Sequence, residues 1–240
     1  MYYSMLSERI SSVFKKITYA ALRTGRNPEE IKLIAVTKSQ PIDKIKEASQ
    51  LGLRIFGENR VQEAKIKIEA LKEFIAQWKM SIEWHMIGHL QSNKVKEAVR
   101  LFEIIHSMDS EKLAILINKE AEKIGKIQRV LIQVKLSQEE SKYGVNIDKI
   151  EELMELCTKL PNLKVEGLMT IPPYFENPED SRPYFKKLRQ IKEILSQKGY
   201  FLKELSMGMS NDFEVAIEEG ATMVRIGTAL FGQRPIDRRI

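Results

Sequence analysis

The sequence predicts an α/β fold: a single (β/α)8 barrel, or TIM barrel, with an extra helix at its N-terminus. Three observations carry this expectation. Short apolar runs alternate with amphipathic stretches, the pattern of repeated strand–helix units. Eight such units fit into 240 residues at about thirty residues each, the count that a closed barrel needs. Gly52, Gly125, Gly199 and Gly220 fall where helices should end, as C-terminal capping glycines do. A doubly wound open sheet usually has fewer strands and a nucleotide-binding G-x-G-x-x-G, which this chain lacks. No composition shift or Pro/Ser-rich linker divides the chain, so residues 1–240 are expected to form one domain.

Taken in order, the first element is an amphipathic helix with Leu6, Ile10, Val13, Phe14 and Ile17 on one face, able to cover the barrel wall. Strands are expected at Lys32 to Lys38, Arg54 to Asn59, Trp84 to Leu90 and Glu103 to Ser107. Four more follow at Gln128 to Leu136, Lys164 to Ile171, Glu204 to Met207 and Met223 to Phe231. Helical periodicity fills the gaps, as in Ile42, Ile45, Ala48, Leu51 and in Leu113, Leu116, Ile117, Ala121, Ile124. Cys157 lies on a helical stretch at a core position rather than as a catalytic thiol. As the single cysteine it excludes an internal disulfide and fits a reducing compartment. No run of about 18 apolar residues exists to span a membrane. The polar, helical N-terminus lacks a signal-peptide core, so a cytoplasmic location is expected. The net charge is +6, but lysines such as Lys65, Lys67, Lys94, Lys96, Lys186 and Lys187 sit beside glutamates on predicted helices and are read as solvated faces. Without a concentrated basic stripe or a reading module, nucleic acid is not an expected partner.

In such a barrel the chemistry gathers at the carboxyl ends of the strands. Lys38 closes the first apolar run, where partial desolvation would lower its pKa and free the amine for Schiff-base formation. Strand two delivers Glu58 and Asn59; strand three ends in Gly88-His89-Leu90-Gln91-Ser92-Asn93. After strand four, Asp109 and Ser110 can cap the next helix. The Pro-rich segment from Ile171 to Pro178 is a candidate active-site loop. The turns after strands seven and eight are the most specific. Ser206-Met207-Gly208-Met209-Ser210-Asn211-Asp212 and Val224-Arg225-Ile226-Gly227-Thr228 offer glycines, hydroxyls and a helix start to a phosphate. Asn211 with Glu214 also fits a capping box. Arg225, placed in an apolar strand, needs a fixed partner. An aldehyde-reactive lysine, a phosphate cup and a buried arginine facing a ring nitrogen together suggest pyridoxal 5'-phosphate (PLP).

These residues resemble the pyridoxal-phosphate homeostasis protein family, whose barrel is similar to the N-terminal domain of alanine racemase. The resemblance covers nearly the whole chain. It is carried by Ala35-Val36-Thr37-Lys38, Phe56-Gly57-Glu58-Asn59 with Val61-Gln62-Glu63, and Trp84-His85-Met86-Ile87-Gly88-His89-Leu90-Gln91-Ser92-Asn93-Lys94. His106-Ser107, Gly167-Leu168-Met169, Ser206-Met207-Gly208-Met209-Ser210 with Asp212, and Val224-Arg225-Ile226-Gly227 complete it. It implies a barrel of the alanine racemase N-terminal type, monomeric or weakly associating, holding PLP as a Schiff base on Lys38. The phosphate would lie around Ser210, Gly227 and Thr228, with Arg225 at the ring nitrogen. Asn59, His89 (as a wall over the ring) and Met207 are placed in the same cofactor-binding set. The implied role is that of an intracellular carrier or buffer of PLP and related B6 vitamers, with PLP-dependent apoenzymes as possible recipients and effects on amino-acid metabolism. Two positions depart from the family pattern. Lys135 stands where an asparagine is usual, a second amine near the cofactor, and Arg60 precedes Val61 where an aromatic residue is often found.

The alternative is a weak PLP-dependent amino-acid racemase. Two-base racemisation needs a group on each face of the substrate carbon. Relatives of this fold take the second, a tyrosine, from a separate C-terminal β domain, and the chain reaches Ile240 soon after strand eight. Tyr143 and Tyr174 are the loop tyrosines available to stand in, but both are read as surface residues, and no catalytic residue is assigned. A metal site is not expected. His85 and His89 are four apart on a strand, which spans roughly 13 Å, and H-E-x-x-H is absent. His85 is read instead as a satisfied core histidine.

Overall fold

The computed structural model describes residues 4–137 and 143–233. Its strands are β1 (Lys32–Val36), β2 (Ile55–Glu58), β3 (Glu83–Met86), β4 (Ile104–Met108), β5 (Gln128–Gln133), β6 (Leu163–Met169), β7 (Glu204–Ser206) and β8 (Met223–Ile226). Helix α1 (Met5–Arg23) precedes them. Between the strands run α2 (Ile42–Gln50), α3 (Val61–Gln77), α4 (Val95–Leu101), α5 (Glu111–Glu122), α6 (Ile150–Thr158), α7 (Arg182–Gln197) and α8 (Phe213–Glu218), and α9 (Thr228–Phe231) follows β8. All eight strands pair in parallel in chain order, and β8 returns to β1, with Lys32 to Ala35 beside Met223 to Ile226, to close the barrel.

Side chains alternate across each strand, so one parity fills the barrel and the other meets the helices. Ile34, Ile104, Leu131, Met169 and Met223 form the inner cluster. Their neighbours Leu33, Ala35, Ile105, Ile132, Leu168 and Val224 belong to the larger layer between sheet and helices. This double burial is why the strands read as continuous apolar runs. Helix α1 docks through Leu6, Ile10, Val13, Ile17, Ala20 and Ala21 and packs against α8 and α9. Phe14, expected on that face, sits at its flank and is 44% exposed.

Each of the eight expected strands is present, but several end sooner. Lys38 lies in the turn after β1, and β5 stops at Gln133. The last strand ends at Ile226 rather than Phe231. Its apolar run continues through Ala229-Leu230-Phe231, but Gly227 turns the chain and those residues form α9. Cys157 is buried on α6, and burial pushes its thiol up to about 12. Among the described residues no helix is long and apolar enough to cross a membrane. The expectation that no further domain follows strand eight falls on residues 234–240, outside the described residues.

Candidate functional site

A cavity of about 260 Å³ opens at the carboxyl ends of the strands. Val36 and Lys38 line it from β1 and its turn, Asn59 from just after β2 and Ile87 from just after β3. Ile171, Pro173, Tyr174 and Phe175 form one side, so the Pro-rich segment is a wall of the site as expected. Ser210, Asn211, Arg225, Gly227 and Thr228 close the other side.

The turn that carries Lys38 is held from behind. Ser39 adopts a left-handed backbone (φ 60°), uncommon for a residue with a side chain. Its N–H donates to Glu63 Oε1 at 2.6 Å. On the other side of Lys38, the Thr37 carbonyl accepts from Lys67 Nζ at 2.6 Å and the Thr37 hydroxyl donates to Glu58 Oε1 at 2.6 Å. Lys67 Nζ also bonds Glu58 Oε1 at 2.7 Å and Glu63 Oε1 at 2.6 Å, so each of its three protons has an acceptor. Burial pushes the Glu58 carboxyl up, against the pull of Lys67 and Thr37. Glu63 is also part-buried, but its bonds from Lys67 and the Ser39 N–H hold it below the usual carboxylate range.

Asn59 is placed by a close approach of two backbones. A Cβ on Gly88 would lie 2.4 Å from the Asn59 carbonyl oxygen, so only glycine lets the chain leaving β3 pass there. Gly208 serves the opposite wall. At φ 90° it turns the chain after β7, and its carbonyl accepts the Arg225 N–H at 3.0 Å. Ser210 Oγ then accepts the N–H groups of Gly227 and Ala229, both at 3.2 Å, which fixes the β8 turn around it. The expected Asn211–Glu214 capping box does not form. Asp212 sits at the N-cap position of α8, but its carboxylate takes the Met209 N–H and the Ser181 hydroxyl instead of a helix N–H; Asn211 Nδ2 donates to the Phe175 carbonyl. Helix α9 has only four residues, so the turn after β8 presents the hydroxyls of Ser210 and Thr228 to the cavity rather than a helix end.

Arg225 reaches the cavity from β8 with 3% of its surface exposed. Nη1 donates to Ser206 Oγ at 2.6 Å and Nη2 to the Thr170 carbonyl at 2.9 Å, both neutral oxygens. Burial lowers its pKa to about 10, so it is cationic at neutral pH, with Asp212 acting to raise it.

Comparison with known proteins fits this arrangement. The family model described as "Alanine racemase, N-terminal domain" matches residues 18–235. A pyridoxal phosphate homeostasis protein from Aquifex aeolicus is 51% identical over 228 residues, covering 95% of this chain and 97% of that one. The chain belongs to the pyridoxal phosphate homeostasis protein family. A member from Escherichia coli K12 is 38% identical over 98% of this chain and 99% of its own length. The structure of the family member PipY from Synechococcus elongatus, with PLP bound, superposes with a TM-score of 0.82 at 36% identity, covering 95% of this chain and all of that one.

Of the eight residues expected to bind the family's cofactor, Lys38, Asn59, Ser210, Arg225, Gly227 and Thr228 come together around the cavity. Met207 and His89 do not line it. Ser206 faces the barrel interior, so the next residue, Met207, turns outward into the layer under the helices and is fully buried there. His89 stacks on Tyr143 with ring centroids 3.7 Å apart and lies 3.7 Å from Asp109. Burial raises the Asp109 carboxyl, against the pull of His89. Lys135 is also outside the lining, and its N–H bonds the Val145 carbonyl. Glu58 points away from the cavity for the same reason of parity, into the buried cluster with Lys67.

That cluster is what sequence reasoning missed. The sequence reading puts Lys67 on a solvated face, whereas it is 5% exposed. The buried face of α3 runs Val61, Ala64, Lys67, Leu71, so a lysine at a core position of the stripe was the available signal.

Proposed function

We propose that the cavity binds PLP, with the Lys38 amine joining the cofactor aldehyde, and that the protein carries and buffers PLP as the relatives' name states. The observation that carries the reading is the convergence of three unlike groups on one cavity: an amine at Lys38, a hydroxyl-bearing glycine turn at Ser210, Gly227 and Thr228, and a buried cation at Arg225. Both hydrogen bonds of the Arg225 terminal nitrogens go to neutral oxygens, so the charge remains for a ligand to meet. When bound, PLP supplies an aldehyde and an electron-accepting ring. Arg225, cationic at neutral pH, would meet the ring nitrogen and disfavour a proton there, which would leave the ring a weak electron sink. Ser210 and Thr228 would orient the phosphate, and Asn59 the face of the ring.

Weak electron withdrawal suits holding over turnover. The two tyrosines weighed as a second base support the same choice. Tyr143 is stacked on His89, outside the lining, and Tyr174 stands at the rim, 76% exposed. In the cell we place the protein in the cytoplasm, as a single monomeric barrel that takes up PLP or related vitamers and passes PLP to apoenzymes.

Borohydride reduction of the PLP-loaded protein followed by peptide mapping tests the reading. A pyridoxyl group is expected on Lys38, with Lys38→Ala binding PLP at least about tenfold more weakly. Wild-type protein that takes up no PLP, or reduction at another lysine alone, would refute it.

A further inference from the structure

A chain of buried polar side chains leaves Arg225 and crosses the barrel interior to its opposite rim. Ser206 Oγ, which accepts from Arg225 Nη1, lies 2.9 Å from His106 Nδ1. His106 Nε2 lies 3.0 Å from His85 Nδ1, and His85 Nε2 lies 3.3 Å from Glu83 Oε2. Ser206, His106 and His85 have no exposed surface, whereas the Glu83 side chain is 44% exposed at the start of β3.

The direction of the bonds follows from the Glu83 end. Arginine only donates, so Ser206 accepts from it and has its own hydroxyl proton to give. A carboxylate only accepts, so His85 carries its proton on Nε2 and leaves Nδ1 as an acceptor. His106 must then donate from Nε2, which leaves its Nδ1 to accept from Ser206. The Ser206 end is compatible with this direction but does not impose it, because a hydroxyl can accept a second bond; the Glu83 carboxylate sets the proton on each ring. Burial supports neutral imidazoles: it holds His85 below its ordinary value and His106 well below, with Arg225, Arg129 and Lys32 facing the pair and adding to the effect. His85 in turn holds the Glu83 carboxyl below the usual range.

We propose that Ser206, His106, His85 and Glu83 are positioning residues: a one-way hydrogen-bond relay that fixes the Arg225 guanidinium toward the cavity from the far rim of the barrel. None of the four lines the cavity. The relay runs from a fixed cation to a carboxylate that sets its direction, and losing Ser206 or either imidazole cuts Arg225 off from the rim. The identity of the ligand it serves rests on the PLP reading above; the relay itself does not.

The test is nitrogen NMR of the histidine rings in the full chain, joined to PLP retention. Wild-type protein without cofactor is expected to show His85 and His106 as neutral Nε2–H tautomers at neutral pH. Glu83→Ala removes the acceptor at a part-exposed site, and is expected to leave both rings as tautomer mixtures. Ser206→Ala is expected to leave the tautomers in place, since Glu83 still sets them, and to speed PLP dissociation on the order of tenfold, the cost of a hydrogen bond to a charged group. Glu83→Ala is expected to shift the absorption band of bound PLP although it lies across the barrel. Nδ1–H tautomers or charged rings in the wild type would overturn the relay, as would rings unchanged in Glu83→Ala. Should the wild type take up no PLP, the functional reading fails while the ring tautomers still decide the relay.

Discussion

Removing the Lys67 ammonium would leave Glu58 and Glu63 as unpaired carboxylates behind the turn that carries Lys38. Breaking a buried ion pair from one side costs about 3–5 kcal/mol, more than the pair adds over an apolar replacement. Lys67→Met should therefore lower stability in urea by about 3 kcal/mol and weaken PLP uptake, because Thr37 and Ser39 lose their shared anchor. Lys67→Met with Glu58→Gln should recover part of the stability, since the buried charge left behind is gone. A loss below about 1 kcal/mol in the single variant would show that the cluster is incidental.

Between residue and molecule, the elements decide what the strand ends can present. Gly88→Ala should displace Asn59, since a Cβ would meet three Asn59 backbone atoms within 2.9 Å. The expected loss is about 1–3 kcal/mol of stability, together with weaker binding; a variant that melts and binds as wild type would contradict it. The repeat of strand and helix, the closing turns and the Lys38, Asn59 and Arg225 corners were legible in the sequence, because burial on both faces and misplaced polar residues leave a local signature. What was not legible depends on parity counted from strand ends. Glu58 and Asn59 are adjacent, yet one enters a buried ion cluster and the other the cavity. Met207 follows Ser206 and is lost from the site by the same single step. The end of β8 was misjudged because Ala229-Leu230-Phe231 is equally apolar as strand or helix, and only the turn at Gly227 separates the two. His89 needed knowledge of Tyr143, more than fifty residues later in the chain, to be placed.

At the scale of the whole molecule, the barrel stores two neutral imidazoles in its interior. Their folded-state pKa values lie below the unfolded value of about 6.5, so the unfolded chain binds protons first as the solution is acidified. The stability they contribute is complete above about pH 6.5 and lost as pH falls below it. Where both are neutral in the fold and charged when unfolded, the slope approaches roughly 2–3 kcal/mol per pH unit. Glu58, raised by burial, acts with the opposite sign above the ordinary carboxylate range and offsets part of this. Urea midpoints should fall between pH 7 and pH 5.5, before most surface carboxylates titrate; a flat profile over that span would contradict neutral buried histidines. The same closed packing has a practical side at Cys157. Thiolate is the species that alkylating reagents attack, and a thiol at about 12 offers almost none at neutral pH. As the single cysteine of the chain, it leaves the native protein silent toward such reagents. Tyr174→Cys, at the exposed lip of the cavity, would then be the one position to accept a dye, and a fluorophore there would report each departure of the bound molecule in real time.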